Sequence, residues 1–333
     1  MRTEHQCYTR SMQYVKLGKT GLEVSALALG GMAFGDPTVG RQGWAIGEEA
    51  SRPLIAAALE AGINFIDTAN VYCGGTSEEI IGRAVKDFAT RESVVLATKV
   101  NGRMRPGPNG AGLSRAAIMT EIDNSLRRFG TDYIDLYQVH RWDPNTPIEE
   151  TMEALHDVVK AGKARYIGAS SMWTWQFAKA QHVAALHGWT RFVSMQPQYN
   201  LLYREDEREM LPFCADQGVA VLPWSPLARG RLSRAWGDTT FRNEHDDRMK
   251  VLYDDGDKAV VDRVSELSAR LGVPQAQLAL AWVRRHPVVT APIIGVTKPH
   301  HLSDALAALT IELSDEQAAY LEEPYLPRKV TAF

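Results

Sequence analysis

Apolar residues in this chain fall into short continuous runs, separated by longer stretches in which they recur every third or fourth position. The short runs are Ala26–Leu29, Ile63–Ile66, Val94–Lys99, Ile134–Val139, Ala164–Gly168, Phe192–Met195, Val219–Leu222 and Ala291–Ile294. Runs of this length, bounded by turn residues, suit buried strands. The helical spacing predicts helices over Glu48–Ala61, Ser77–Lys86, Ser114–Phe129, Pro147–Ala161, Thr174–His187 and Arg204–Gln217. It predicts further helices over Lys258–Leu271, Gln275–Arg285 and Pro299–Leu309. Gly130 marks one such boundary: the helix stops there, Asp132 turns the chain, and a β-rich run follows.

Strands alternating with helices predict a parallel sheet with helices outside it. Eight strands fit a closed α/β barrel better than an open sheet. Ahead of them, Tyr14–Val24 reads as a β-hairpin turning at Gly18 to Gly21. Three connections exceed ordinary linkers: Val100–Leu113, Arg141–Pro147 and Trp224–Asp257. Each follows the C-terminal end of a strand, so all three are expected over one rim. Trp44, Trp142 and Trp173 are candidates to line a pocket there or to pack on the barrel surface. The organisation expected is a loosely ordered segment over residues 1–13 and one barrel domain over 14–333.

Composition narrows the class. Of 333 residues, 45% are hydrophobic and 23% charged, with a net charge of −3. That is an ordinary globular balance, with no basic field for nucleic acid or membrane. No run approaches the ~18 apolar residues of a membrane helix. Cys7, Cys73 and Cys214 are too few and too far apart for a disulfide framework, which suits a cytoplasmic protein. Cys73 is expected to be a bystander. No metal site is expected, because His300 and His301 are adjacent and His182 and His187 lack a ligand spacing. No glycine-rich phosphate fingerprint opens a helix, which argues against Rossmann and P-loop folds.

Candidate chemistry collects at strand ends. Asp67 and Tyr72 end and follow the second core strand, Lys99 ends the third and His140 follows the fourth. Parallel strands would bring all four to one rim, where active sites of α/β barrels are built. A phenol is a poor proton donor at neutral pH unless its anion is stabilised. A lysine beside Tyr72 could do that, and a carboxylate could hold the lysine.

With Gly30-Gly31-Met32, Asp67 and Tyr72, Lys99, Gln138-Val-His140, Tyr166-Ile-Gly-Ala-Ser-Ser171, Gln196, Trp224-Ser-Pro-Leu-Ala-Arg-Gly230 and Ile294-Gly-Val-Thr-Lys298 in that order, the chain resembles the aldo-keto reductase superfamily. The resemblance runs over almost its whole length, and lies nearest the microbial, potassium-channel β-subunit-like branch. It implies a (β/α)8 TIM barrel with an N-terminal hairpin and long loops at the C-terminal rim. It implies NADPH-dependent reduction of a small-molecule carbonyl substrate, with Tyr72 as general acid, Lys99 and Asp67 behind it, and His140 on the carbonyl oxygen. Tyr72, His140, Trp142 and Trp173 would line the substrate pocket. Gly31, Met32 and Asp67 would lie by the nicotinamide. Ser170, Ser171 and Gln196 would hold its carboxamide, with Trp224 against the ring.

Ser225, Pro226, Leu227, Ala228 and Gly230, with Arg242, would wrap the pyrophosphate. Gly295, Thr297 and Lys298 would meet the adenosine 2′-phosphate at a helix N-terminus, with His301 and Asp304 on the adenine side. Ser171, His301 and the Asp304-Ala305 pair depart from residues common among relatives. Two other functions stay open at this point: an NADPH-binding regulatory subunit like those of potassium channels, and a lyase or isomerase using Lys99 as a Schiff base.

Overall fold

The computed structural model describes residues 12–239 and 244–330. The chain opens with a two-stranded antiparallel hairpin, β1 (Tyr14–Lys16) and β2 (Glu23–Ser25). Eight strands then form one sheet: β3 (Ala28–Gly30), β4 (Phe65–Asp67), β5 (Val95–Val100), β6 (Ile134–Val139), β7 (Ala164–Ser170), β8 (Phe192–Gln196), β9 (Ala220–Val221) and β10 (Ile293–Gly295). Their order is β10-β3-β4-β5-β6-β7-β8-β9, and every neighbouring pair is parallel. Two backbone hydrogen bonds draw the ends together. Thr290 N–H donates to the Val221 carbonyl at 2.8 Å, and Ile293 N–H to that of Pro223 at 2.9 Å. The sheet is thereby curled into the expected (β/α)8 barrel.

Each of β3 to β7 leads to a helix laid on the outside: α1 (Glu48–Glu60), α2 (Thr76–Phe88), α3 (Arg115–Phe129), α4 (Ile148–Lys160) and α5 (Thr174–His187). Then come α6 (Met210–Gln217), α7 (Asp247–Leu252), α8 (Lys258–Leu271), α9 (Gln275–Arg285), α10 (Pro299–Ala307) and α11 (Asp315–Glu322). Ser114 caps α3 by accepting from Ala117 N–H, and Gly130 closes it at φ 67°. Both ends follow from the residue types placed there.

The expected helix over Arg204–Gln217 is instead a 3-10 turn, Glu205–Glu207, followed by α6. Pro212 explains the break. It has no N–H to give and its ring crowds the carbonyl four residues back, so it is accommodated in a helix's first turn. α7 lies in the stretch read as loop, and α11 lies beyond the last element read from periodicity. Ser314 and Gln317 form a capping box at its start. The expectation of loose order at the N-terminus falls mostly on residues outside those described. Among the described ones, Gln13 already accepts a hydrogen bond from Ala26 N–H.

The period of two along each strand divides the core. Ala28, Phe65, Val95, Ala97 and Leu136 fill the barrel interior together with Ala220, Leu222 and Ile293. Leu29, Ile66, Leu96, Tyr137, Val139 and Ile167 point outward and pack under the helices. Leu17 and Val24 of the hairpin belong to the interior cluster, and Lys19 N–H donates to the Gly218 carbonyl. The hairpin therefore stoppers the N-terminal mouth. The other mouth is left for the long loops. No described helix is long and apolar enough to cross a membrane.

Candidate active site

Strand parity sets the floor of the open mouth. Continuing the inward rows upward from Phe65, Ala97 and Leu136 leads to Asp67, Lys99, Gln138 and His140. The neighbouring rows end at Ser170 and Gln196. The Lys99 ammonium, fully buried, donates to Asp67 Oδ2 at 2.5 Å and to the Thr68 carbonyl at 2.7 Å. Asp67 Oδ1 accepts from Gln138 Nε2 at 2.8 Å and from Gln196 Nε2 at 2.9 Å, and the two amides are themselves bonded at 3.1 Å. A buried ion pair is tolerable only when its remaining lone pairs and protons are met, and here two amides and a carbonyl meet them. Gly168 makes room: a Cβ there would lie 2.3 Å from Ser194 Oγ and 3.1 Å from Gln138 Cγ.

Tyr72 lies in the turn between β4 and α2. Its ring centroid is 5.2 Å from Lys99 Nζ and 5.7 Å from the His140 ring, which meets it edge-on. The turn is held tightly. Cys73 takes φ 47°, its N–H donates to Gln42 Oε1, and the thiol is buried. A Cβ on Gly35 would lie 2.5 Å from that sulfur. Asn70 N–H donates to the Lys99 carbonyl, and its side chain donates to Glu121 of α3. Burial, reinforced by Arg141, Lys99 and Arg248, holds His140 well below the usual imidazole range. A neutral ring is therefore present at physiological pH, with one N–H to donate.

Across the mouth, Trp224 Nε1 donates to Ser171 Oγ at 2.9 Å, and Ser170 Oγ donates to the Gln196 carbonyl. Ser171 and Ser225 both adopt left-handed backbone, as do Ala228 and Arg229 ahead of Gly230. Non-glycine residues held there are strained, and such strain gathers where a loop's shape serves a site. In this stretch Pro226 and Ala228 are buried and Leu227 is half-buried. Arg229 pairs with Asp246. Among the described residues, three buried guanidinium nitrogens in this region, Arg229 Nε, Arg231 Nε and Arg234 Nη1, have no hydrogen-bond partner. Unsatisfied cationic donors beside a strained loop fit phosphate oxygens. Arg231 and Arg234 escape sequence reading, because arginines in a polar loop look the same as solvent-facing ones.

The remaining candidates fall as follows. Gly31 is packed against Thr68 and Ile81 so closely that a Cβ would meet them at 2.9 and 2.6 Å, and Met32 is half-buried beside it. Gly295 and Lys298 are exposed at the start of α10. Thr297 N–H donates to His301 Nδ1 at 3.3 Å. Burial, with His300 and Lys298, lowers His301 to about 4. Asp304 accepts from Gln277 at 2.9 Å. Trp142 is half-buried and tilts onto Trp175 at 6.0 Å, Trp173 is exposed, and Trp44 is buried. Arg242 lies outside the described residues. Gln138 enters the sequence reading only within the Gln138-Val-His140 run of the resemblance, with no role given, and the structure joins it to Asp67.

Comparison with known proteins gives the family. The model of the Aldo/keto reductase family matches residues 26–325. Versiconal hemiacetal acetate reductase of Aspergillus parasiticus is 44% identical, over 96% of this chain and 98% of its own. An aldo-keto reductase of Fusarium vanettenii is 43% identical over 96% of this chain and 92% of its own. A putative aryl-alcohol dehydrogenase of Schizosaccharomyces pombe is 42% identical over 94% and 96%. With a family match across nearly the whole barrel and relatives of this similarity over more than nine-tenths of its length, the chain belongs to the aldo/keto reductase family and is an oxidoreductase.

Proposed function

We propose that this protein reduces aldehydes or ketones to alcohols, taking hydride from NADPH and a proton from Tyr72. The observation that carries the reading is the nearness of the Tyr72 ring to both Lys99 Nζ, at 5.2 Å, and the His140 ring, at 5.7 Å. The nicotinamide cofactor supplies the hydride when bound. The chain's own residues do the rest. His140, neutral, donates to the substrate carbonyl oxygen and orients it. Tyr72 passes its phenolic proton to that oxygen as negative charge develops. Lys99 places a positive charge beside the phenolate left behind, and Asp67 keeps Lys99 in position. In the reverse direction the same phenol takes the proton from an alcohol.

Ser170, Ser171, Gln196 and Trp224 stand at the nicotinamide end of the cofactor site. The strained Ser225–Gly230 loop, with the unsatisfied nitrogens of Arg229, Arg231 and Arg234, takes the phosphates. Thr297 and Lys298, at the start of α10, meet the adenosine 2′-phosphate and favour NADPH over NADH. The test is turnover of 4-nitrobenzaldehyde with NADPH, followed at the nicotinamide band. Tyr72→Phe is expected to lower kcat by roughly a hundredfold or more while leaving the NADPH Kd within about twofold. Near wild-type turnover in that variant would remove Tyr72 from the role.

A further inference from the structure

Beside the proposed carbonyl site stands a cation that the chemistry above does not use. Arg141 follows His140 directly at the end of β6. It is half-buried, and among the described residues its side chain makes one hydrogen bond, from Nη1 to the His140 carbonyl at 2.5 Å. Its guanidinium carbon lies 5.9 Å from the Trp224 ring centroid. Lys99 and Arg229 nearby each face a carboxylate, Asp67 and Asp246. Arg141 forms no ion pair with any described residue, and the charges that reach it are mostly of its own sign. Burial, opposed by the Tyr72 phenol and reinforced by Arg248 and Arg229, brings it down to about 10. It therefore remains charged at neutral pH. A half-buried guanidinium with most of its donors unclaimed by the described residues is open to a ligand of opposite charge. A planar anion would engage those donors through charge-assisted, two-pronged hydrogen bonding.

We infer that Arg141 is an anion-recognition residue of the substrate pocket, making this protein selective for carbonyl compounds that carry a carboxylate near the carbonyl group. This rests on the reductase reading given above. The geometry has the right sense. The residue that orients the carbonyl and the residue that takes the carboxylate are consecutive, at one strand end, so one substrate can reach both. Trp224 flanks the guanidinium, which spends one of its donors on the His140 carbonyl. The anionic groups of the cofactor are the rival occupant. They already have Arg229, Arg231 and Arg234, whose unsatisfied nitrogens lie in and just after the strained loop.

The experiment compares 4-carboxybenzaldehyde with 4-nitrobenzaldehyde in the full-length protein with NADPH. Wild type is expected to favour the carboxylated aldehyde in kcat/KM by about tenfold or more, the scale of one charge-assisted pair. Added salt should erode that preference. Arg141→Met should abolish it, and Arg141→Lys should restore part of it. Benzoate binding to the NADPH complex, with benzamide as the uncharged control, gives a readout that does not depend on turnover. If neither aldehyde is reduced but benzoate binds through Arg141, the reductase reading fails and the anion site stands. A salt-insensitive wild-type ratio near one would overturn the inference without any variant, should Arg141→Met not fold. An unchanged ratio in Arg141→Met would do the same, as would a loss of NADPH affinity with no change in the ratio, which would give Arg141 to the cofactor.

Discussion

Ionisable side chains inside this barrel are met in different ways, and the contrast sets their consequences. Asp67 has both oxygens engaged, by Lys99 on one side and two glutamine amides on the other. Asp206 has a buried oxygen with no hydrogen-bond partner among the described residues. Burial, reinforced by Glu205, raises Asp206 to about 7. A carboxyl whose folded pKa lies above its unfolded value, near ~4, is favoured in the folded state while protonated. Its contribution is intact below that value and is lost as pH climbs to about 7. Asp206→Asn should therefore raise the melting temperature at pH ~8 by a few degrees and leave it nearly unchanged at pH ~4, a difference thermal melts at the two values would read directly. A rise of equal size at both would place the origin elsewhere.

Legibility at this scale follows the same division. Asp67, Lys99 and His140 could be read because each polar residue ends an apolar run. What Gln138 does could not, because its partner, Asp67, is fixed by barrel closure and not by neighbours in sequence.

Between elements, backbone proximity decides. α2 and α3 approach so closely that a Cβ on Gly82 would sit 2.3 Å from the Phe129 carbonyl oxygen. Backbone cannot yield as a flexible side chain would. The junction is further pinned by Glu78, which is fully buried, accepts from Thr98 at 2.5 Å and pairs with Arg128 at 2.5 Å. Gly82→Ala, harmless on an exposed helix, should here cost about 2 kcal/mol or more through overpacking, seen as a lower urea midpoint. An unchanged midpoint would mean the helices can slide apart freely. The expected helix over Arg204–Gln217 fails at this scale, and Pro212 was the visible signal against it. Helix ends marked by glycine and serine were read closely, whereas α7 lies in a polar stretch where periodicity is weak.

For the molecule as a whole, the two mouths of the barrel divide the labour. The hairpin closes one with Leu17 and Val24, both without exposed surface. The polar cluster around Tyr72 occupies the other. Stability and chemistry should then be separable, as expected of this architecture. Leu17→Ala should lower stability by roughly 2–5 kcal/mol, as large-to-small core changes do, while kcat for 4-nitrobenzaldehyde stays at the wild-type level in the folded fraction. A parallel fall in kcat would mean that strain passes through the barrel from end to end. The fold itself was open to reading because strand and helix periods alternate so regularly. The loops over the upper mouth were not, since their shape comes from contacts such as Asp143 with Leu113 N–H, across thirty residues.

The seating of Cys73 has one more consequence. Its sulfur lies under Gly35, its N–H is taken by Gln42, and burial, reinforced by Asp36, pushes the thiol up to about 11. An alkylating reagent can reach that sulfur only in molecules whose 35–42 segment has momentarily lifted. Its rate of capture, followed by mass spectrometry of the peptide spanning Tyr72, would thus act as a clock for openings beside the proton donor, and a molecule filling the cleft should slow the clock.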